Sequence, residues 1–507
     1  MTLRRRTTLL WSLPWPTTPL FAKVTTPDTP HLRPGYHFTP RAHWMNDPNG
    51  LVFHQGVYHL FFQHYPHDTV WGPMHWGHAT STDLLHWQEQ PIALAPDERG
   101  WIFSGSAVVD THNSAGLGPV GSSPLVAIFT HHDGVADKAG RQDVQSQSLA
   151  YSLDGGQTFT KYAGNPVLPS PGTRDFRDPK VFWHAPTARW VMALATGDRI
   201  TFFSSPDLKR WRRESDFGVG QGAHDGVWEC PDLFPLEHQG QTHWVLLVSL
   251  VKGGPAGGSA TQYFVGQFDG QRFVCEQTDT RWLDHGADNY AGVTFSGTEP
   301  RRVFIGWMSN WDYAQAVPTH PWRSAMTLPR ELHLVPAAGQ WRVASRPVAE
   351  ALQAGRELAR HASLPLLPMV DLSVPLQQAQ GQLLIDLHTA ELHSFALVLR
   401  NAVGEQLRVF YDQASQRYGI DRSRAGSAGF HANFAATHTA PRLASQPGAR
   451  IQLFIDACSI ELFADDGLTV MTDLCLPSQP FTIAHLKSSD GMVLQSLSLR
   501  AMGAMTA

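Results

Sequence analysis

Thr80-Ser-Thr-Asp-Leu-Leu-His-Trp87 couples an aspartate turn to a following indole, and the same form returns three times. Tyr151-Ser-Leu-Asp-Gly-Gly-Gln-Thr-Phe159, Ser204-Ser-Pro-Asp-Leu-Lys-Arg-Trp211 and Gln267-Phe-Asp-Gly-Gln-Arg-Phe273 each place an aromatic within five residues of the turn aspartate. The aspartates Asp83, Asp154, Asp207 and Asp269 are spaced by 71, 53 and 62 residues. A period of this length, several strands long, is the mark of propeller blades. The stretch from Tyr36 to Pro336, divided by a period of about 60 residues, gives five blades.

Short apolar runs between turn signals fill that stretch. Gly50-Leu-Val-Phe53, Val57-Tyr-His-Leu-Phe-Phe62 and Trp190-Val-Met-Ala-Leu194 are strands of about five residues. Beyond them, the segment from 347 to 360 has the pattern of a short helical connector with Pro347 at its start. Alternation then resumes at Leu383, Ile385 and Leu387 and at Phe395, Leu397 and Leu399, and Asp465-Asp466-Gly467 forms a hairpin signal. The sequence thus predicts an all-β chain: a five-bladed β-propeller over 35–340, a linker helix within 341–360, and a β-sandwich over 361–507.

Composition fits this and excludes several functions. Among 507 residues, 43 Gly and 36 Pro favour a turn-rich β protein, and the length exceeds one ordinary core. A formal net charge of −5, with no block of like charge, argues against nucleic acid as a partner. No apolar run approaches the roughly 20 residues of a membrane span. The four cysteines at 230, 275, 458 and 475 form neither a zinc pattern nor a disulfide framework. His64, His67, His75 and His78 fit no common metal-ligand spacing with an acid, so no metal and no cofactor is expected. Arg4-Arg5-Arg6 before Thr7 to Leu13 has the outline of a twin-arginine export signal, interrupted by Pro14 and Pro16; a plain tail over 1–34 is the alternative, and compartment stays open.

Three acids stand in unusual company: Asp47 in Trp44-Met-Asn-Asp-Pro-Asn-Gly50, Asp178 in Asp175-Phe-Arg-Asp-Pro179, and Glu229 in Trp228-Glu-Cys-Pro-Asp232. Singly, each is a good turn or strand end. On three blades, they converge on one axial cavity. Glycoside cleavage needs two such groups flanking the bond, and a third can hold sugar hydroxyls. Arg177 is expected to keep Asp178 ionised, and Trp228, Cys230 and Pro231 to favour the protonated form of Glu229.

These motifs, with Phe103-Ser-Gly-Ser106, Gly306-Trp-Met-Ser-Asn-Trp311, Met326-Thr-Leu-Pro-Arg-Glu331 and Ile455-Asp-Ala-Cys-Ser-Ile-Glu-Leu-Phe463, resemble the signature set of glycoside hydrolase family 32, the invertases, levanases and exo-inulinases. The resemblance runs from about Tyr36 to the C-terminus. It implies a retaining enzyme that removes terminal fructose from sucrose or fructans. Asp47 would be the nucleophile, Glu229 the acid and then the base, and Asp178 the stabiliser of the transition state. Asn46, Gln63, Trp71, Ser104 and Arg177 would line the fructose pocket. Trp44, Phe103 and Trp311 would form its apolar walls, and Asp288 and Tyr290 would touch the leaving group. Pro318-Thr-His-Pro-Trp322 is closer in pattern to levanases and exo-inulinases than to sucrose-6-phosphate hydrolases. An inverting arabinan or xylan hydrolase, a fructosyltransferase and a non-catalytic fructan-binding protein are the competing readings. The sandwich is left with three roles: structural, polymer-binding, or shaping a homodimer.

Overall fold

The computed structural model describes residues 28–275 and 277–503. The N-terminal arginine motif lies outside the described residues. Among the described residues, no helix is long and apolar enough to cross a membrane.

Five antiparallel sheets follow one another along the chain, each built as a meander from an inner to an outer strand. The innermost strands are His43–His54, Trp101–Val109, Phe176–His184, Trp228–His238 and Tyr290–Thr294. The sheets are the blades of a propeller. Two parallel contacts tie the last blade region to the first: His43 and Trp44 pair with Trp322 and Arg323, and Val52 bridges Ser296 at the opposite end.

The aspartate turns sit at equivalent places. Asp83, Asp154, Asp207 and Asp269 each join the third strand of blades one to four to the fourth. One carboxylate oxygen of each accepts backbone N–H groups two to four residues on: Leu85 and His86, Gln157 and Thr158, Lys209 and Arg210, Gln271 and Arg272. The side chain thus substitutes for a backbone acceptor and closes the turn. The ring that follows is then carried back toward the core between blades, as with Trp87 and Phe273. Blade five lacks the motif. Its outer hairpin turns at 337–340 instead.

The connector is shorter than the sequence predicts. Gln340–Pro347 is the outer strand of blade five, the helix is confined to Ala349–Gln353, and Arg356–Pro365 is already an edge strand of the sandwich. Residues 356–365 pair with Val493–Ala501, and strand pairing prevails over the local helical pattern. Two six-stranded sheets form the sandwich around one apolar core that includes Leu383, Ile385, Leu397, Leu453 and Leu497. Leu384, Phe454 and Phe463 point from the other face of one sheet into a second core shared with blades one and five. Period-two alternation therefore serves two partners at once: odd residues of 383–387 pack within the sandwich, and Leu384 packs on the propeller.

Candidate active site

All five innermost strands carry a β-bulge at the same level. Two residues on the inner strand oppose one on its neighbour: 46–47 against Gln63, 103–104 against Thr130, 178–179 against Leu194, 230–231 against Val248, and 291–292 against Gly306. A bulge turns the strand and re-aims the side chains around it. Asp178, Cys230 and Ala291, first in their bulges, adopt φ values of 64°, 45° and 52°. Non-glycine residues hold such a conformation at a cost, and the surrounding ladders impose it. Residues of the first three bulges, with Glu229 just before the fourth, line one cavity of about 260 Å³.

Asp47, Asp178 and Glu229 line this cavity together, as do Asn46, Gln63, Trp71, Phe103, Ser104, Arg177 and Trp311. Asp47 accepts hydrogen bonds from Ser104 Oγ at 2.6 Å and Asn46 Nδ2 at 3.0 Å. Trp44 Nε1 donates to Asn46 Oδ1 at 2.7 Å, which fixes the amide so that its NH₂ faces Asp47. Gln63 is held by Asn49 and the Ile102 carbonyl. Cys230 joins two acids: its thiol lies 3.5 Å from Asp47 Oδ2 and 3.6 Å from Asp178 Oδ2, and its N–H donates to Asp178 at 3.1 Å. Burial and the neighbouring carboxylates push the thiol well up, so it stays an S–H donor.

Glu229 is gripped from both sides. Arg177 donates to Oε1 through Nη2 at 2.8 Å and Nε at 3.2 Å, and the Tyr290 hydroxyl bonds Oε2. Trp228, its neighbour in sequence, packs instead into the core with Phe217 and Phe264. Strand alternation sends adjacent side chains to opposite faces, so the expected apolar wrapping of Glu229 is replaced by a guanidinium and a phenol.

Arg177 likewise does not do what adjacency suggested. Its short contacts go to Glu229 and to Asp175 at 2.5 Å, and its nearest approach to Asp178 is 3.9 Å. Burial pushes Asp178 up to about 7 against the pull of Arg177, and the Glu229 and Asp47 carboxylates add to the rise. Burial also raises Asp47, opposed by the Ser104 hydrogen bond. In this buried cluster Asp178 holds its proton far above the usual aspartate range.

Two residues stand elsewhere. Trp44 is fully buried behind the cavity wall, against Trp307 and Trp311. Asp288 is not in the cavity. Its carboxylate accepts from Arg422 and Tyr313, both at 2.6 Å, and from the Leu474 N–H at 2.9 Å. The reason is local: residues 284–288 run along the sandwich strand Thr469–Leu474, with His285 and Asp288 N–H groups bonded to Val470 and Thr472 carbonyls. Asp288 therefore serves the joint between domains.

Six further residues line the cavity: His132, Asp137, Val144, Gln145, Arg174 and Asp175. Gln145 Oε1 accepts from the Phe176 N–H at 2.8 Å, next to Arg177. Its signal in the sequence was present: Gln145 and Gln147 alternate as buried residues at the start of one strand. Two residues along the strand from Asp178, Lys180 donates to Asp232 at 3.1 Å and to the Thr294 carbonyl at 2.6 Å, tying blade three to blades four and five.

Comparison with known proteins agrees with this geometry. Residues 37–347 match the model of the glycosyl hydrolases family 32 N-terminal domain, and residues 352–501 that of the family 32 C-terminal domain. The chain is 44% identical to a levanase of Bacillus subtilis over 485 residues, covering 93% of this chain and 70% of that protein. It is 39% identical to an extracellular exo-inulinase of Aspergillus ficuum, over 92% of this chain and 93% of the other. The crystal structure of an exo-inulinase from Aspergillus awamori superposes with a TM-score of 0.85 at 35% identity, covering 94% of this chain and 99% of that one. With both domain models matched in order, the chain belongs to glycosyl hydrolase family 32.

Proposed function

We propose that the chain is a retaining β-fructofuranosidase that releases terminal fructose from sucrose and fructans, with Asp47 as nucleophile and Glu229 as acid and base. The meeting of Asp47, Asp178 and Glu229 around Cys230 in one cavity carries this assignment. Glu229 donates its proton to the leaving oxygen while Asp47 attacks the anomeric carbon C2, giving a fructosyl ester. Glu229 then takes a proton from water, which attacks C2 and frees Asp47. Asp178 holds fructose hydroxyls and steadies the oxocarbenium-like transition state.

Fructose release from sucrose, levan and inulin, assayed in parallel with Asp47→Ala, tests the assignment. Free fructose from at least one substrate, abolished in a folded variant, supports it. Long oligofructosides from concentrated sucrose indicate a transferase. Substantial residual hydrolysis by Asp47→Ala refutes the nucleophile assignment.

A further inference from the structure

We propose that the cavity wall formed by His132, Asp137, Arg174 and Asp175 is the subsite for the leaving-group sugar, and that Arg174 and Asp137 are its specificity residues. This rests on the assignment of Glu229 as the acid.

The wall joins the fructose pocket by two routes. From Glu229, Arg177 reaches Asp175 at 2.5 Å, so one guanidinium spans the acid and the wall. From the Phe103 face, His132 stacks at 4.3 Å between centroids and 5° between planes. Its Nε2 lies 3.6 Å from Asp137 Oδ2, and Asp137 Oδ1 lies 2.7 Å from Arg174 Nη2. The leaving oxygen must sit beside Glu229, which is partly exposed toward the cavity mouth while Asp47 and Asp178 are buried. The second sugar therefore extends outward, along surfaces that border Glu229 and Phe103. This wall is such a surface.

Its chemistry suits an uncharged sugar. Vicinal hydroxyls donate and accept at once, and an Asp–Arg pair offers both functions side by side. Arg174 is half exposed, with N–H donors left over after its contact with Asp137. Among the described residues, Asp137 Oδ1 accepts no hydrogen bond despite the short approach of Arg174, whose alignment is wrong for one. Burial lowers His132 to about 4, so it is a neutral imidazole near neutrality. Asp137 belongs to the short helix Gly134–Lys138, whose end residue Asp133 caps the Val135 and Ala136 N–H groups. The helix holds the carboxylate on the cavity side while Val135 faces solvent.

The test compares sucrose, whose leaving group is a sugar, with methyl β-D-fructofuranoside, whose leaving group is methanol. The readout is the ratio of their kcat/KM values in the full chain and in Arg174→Ala, Asp137→Ala and Arg174→Lys. Loss of a hydrogen bond to a charged partner predicts a drop in the sucrose-to-methyl ratio of roughly tenfold for each alanine variant, with partial recovery in Arg174→Lys. An unchanged ratio overturns the proposal, whether both substrates suffer equally or neither does. If the parent chain frees fructose from none of sucrose, methyl β-D-fructofuranoside, levan and inulin, the glycosidase assignment falls too; if it cleaves both test fructosides and the ratio holds, only the subsite falls.

Discussion

Arg177 and Glu229 occupy the same position, immediately before the bulge, on consecutive blades, and the guanidinium of one donates twice to a single carboxylate oxygen of the other. Tyr290 holds that position on the next blade and bonds the second oxygen. The blade repeat thus aims three consecutive side chains at one another. Arg177→Lys keeps the charge and loses the fork that also reaches Asp175. We expect kcat/KM on sucrose to fall roughly 10²-fold, on the scale of misplaced catalytic groups. A loss below about twofold would show that the fork is dispensable.

The grip on Glu229 predicts a leaving-group effect. Glu229→Gln keeps the side-chain shape and removes the transferable proton. On sucrose the loss should reach about 10²–10⁴-fold, the range of general acid catalysis. On a 4-nitrophenyl β-fructofuranoside, whose leaving group departs without a proton, the first step should be far less affected, visible as a burst of nitrophenol. Tyr290→Phe should lower kcat more than it alters KM, because its hydroxyl holds Glu229, the proposed acid. Equal losses on both substrates in Glu229→Gln would count against the acid role.

Much of this was legible in the chain. The four aspartate turns marked the outer hairpins, because an Asp accepting N–H groups two to four residues on has a fixed local signature. Blade five had to be inferred from length, since its hairpin uses Ala338 and Gly339. The three acids were legible through their rare neighbours. The bulges were not: an extra residue on one strand leaves no period in the sequence, and it alone decides that Cys230 faces Asp47 while Trp228 faces the core. Asp288 was misread for a similar reason. Only the register against Thr469–Leu474, nearly two hundred residues away, shows that its carboxylate belongs to Arg422.

Asp178 links activity to stability through pH. Burial pushes its carboxyl up from the ordinary 3.8 to about 7, so the folded state holds the proton more tightly than the unfolded one. The contribution of such a group is fully present below its unfolded value and is lost as pH rises through its folded value. Asp178→Asn removes that loss and keeps an oxygen for the Cys230 N–H. This variant should therefore melt higher than the parent at pH 8, with the gap closing toward pH 4. A parent that melts higher at pH 8 would show that Asp178 is not raised. In the parent, kcat/KM should decline on the acid side above the usual aspartate range, because burial raises Asp47, and the proposed nucleophile attacks only when ionised.

The joint between the domains predicts the opposite limit. His37, just before blade one, sets Nδ1 at 2.8 Å from Asp456 and Nε2 at 2.8 Å from Glu461, both carboxylates of the sandwich. Arg330 completes the cluster by bonding Glu461 and Asp284. Burial alone would lower His37, but the two carboxylate hydrogen bonds outweigh it and raise it to about 9. The same contacts, led by Arg330 against the cost of burial, hold Glu461 down at about 2. For His37 the sign is clear: its contribution is whole below about 6.5 and disappears as pH rises through 9, on the order of 3 kcal/mol across that span. Glu461 is lost only below about 4.5, toward 2. Docking of sandwich on propeller should therefore weaken between pH 7 and pH 10. Thermal melts should fall over that range, and His37→Gln should melt lower at pH 7 yet lose less on going to pH 10. Parallel pH curves for parent and variant would mean that the imidazolium does not hold this joint. Arg330→Ala is the harsher test, since it strands two buried carboxylates, and it should cost about 3–5 kcal/mol.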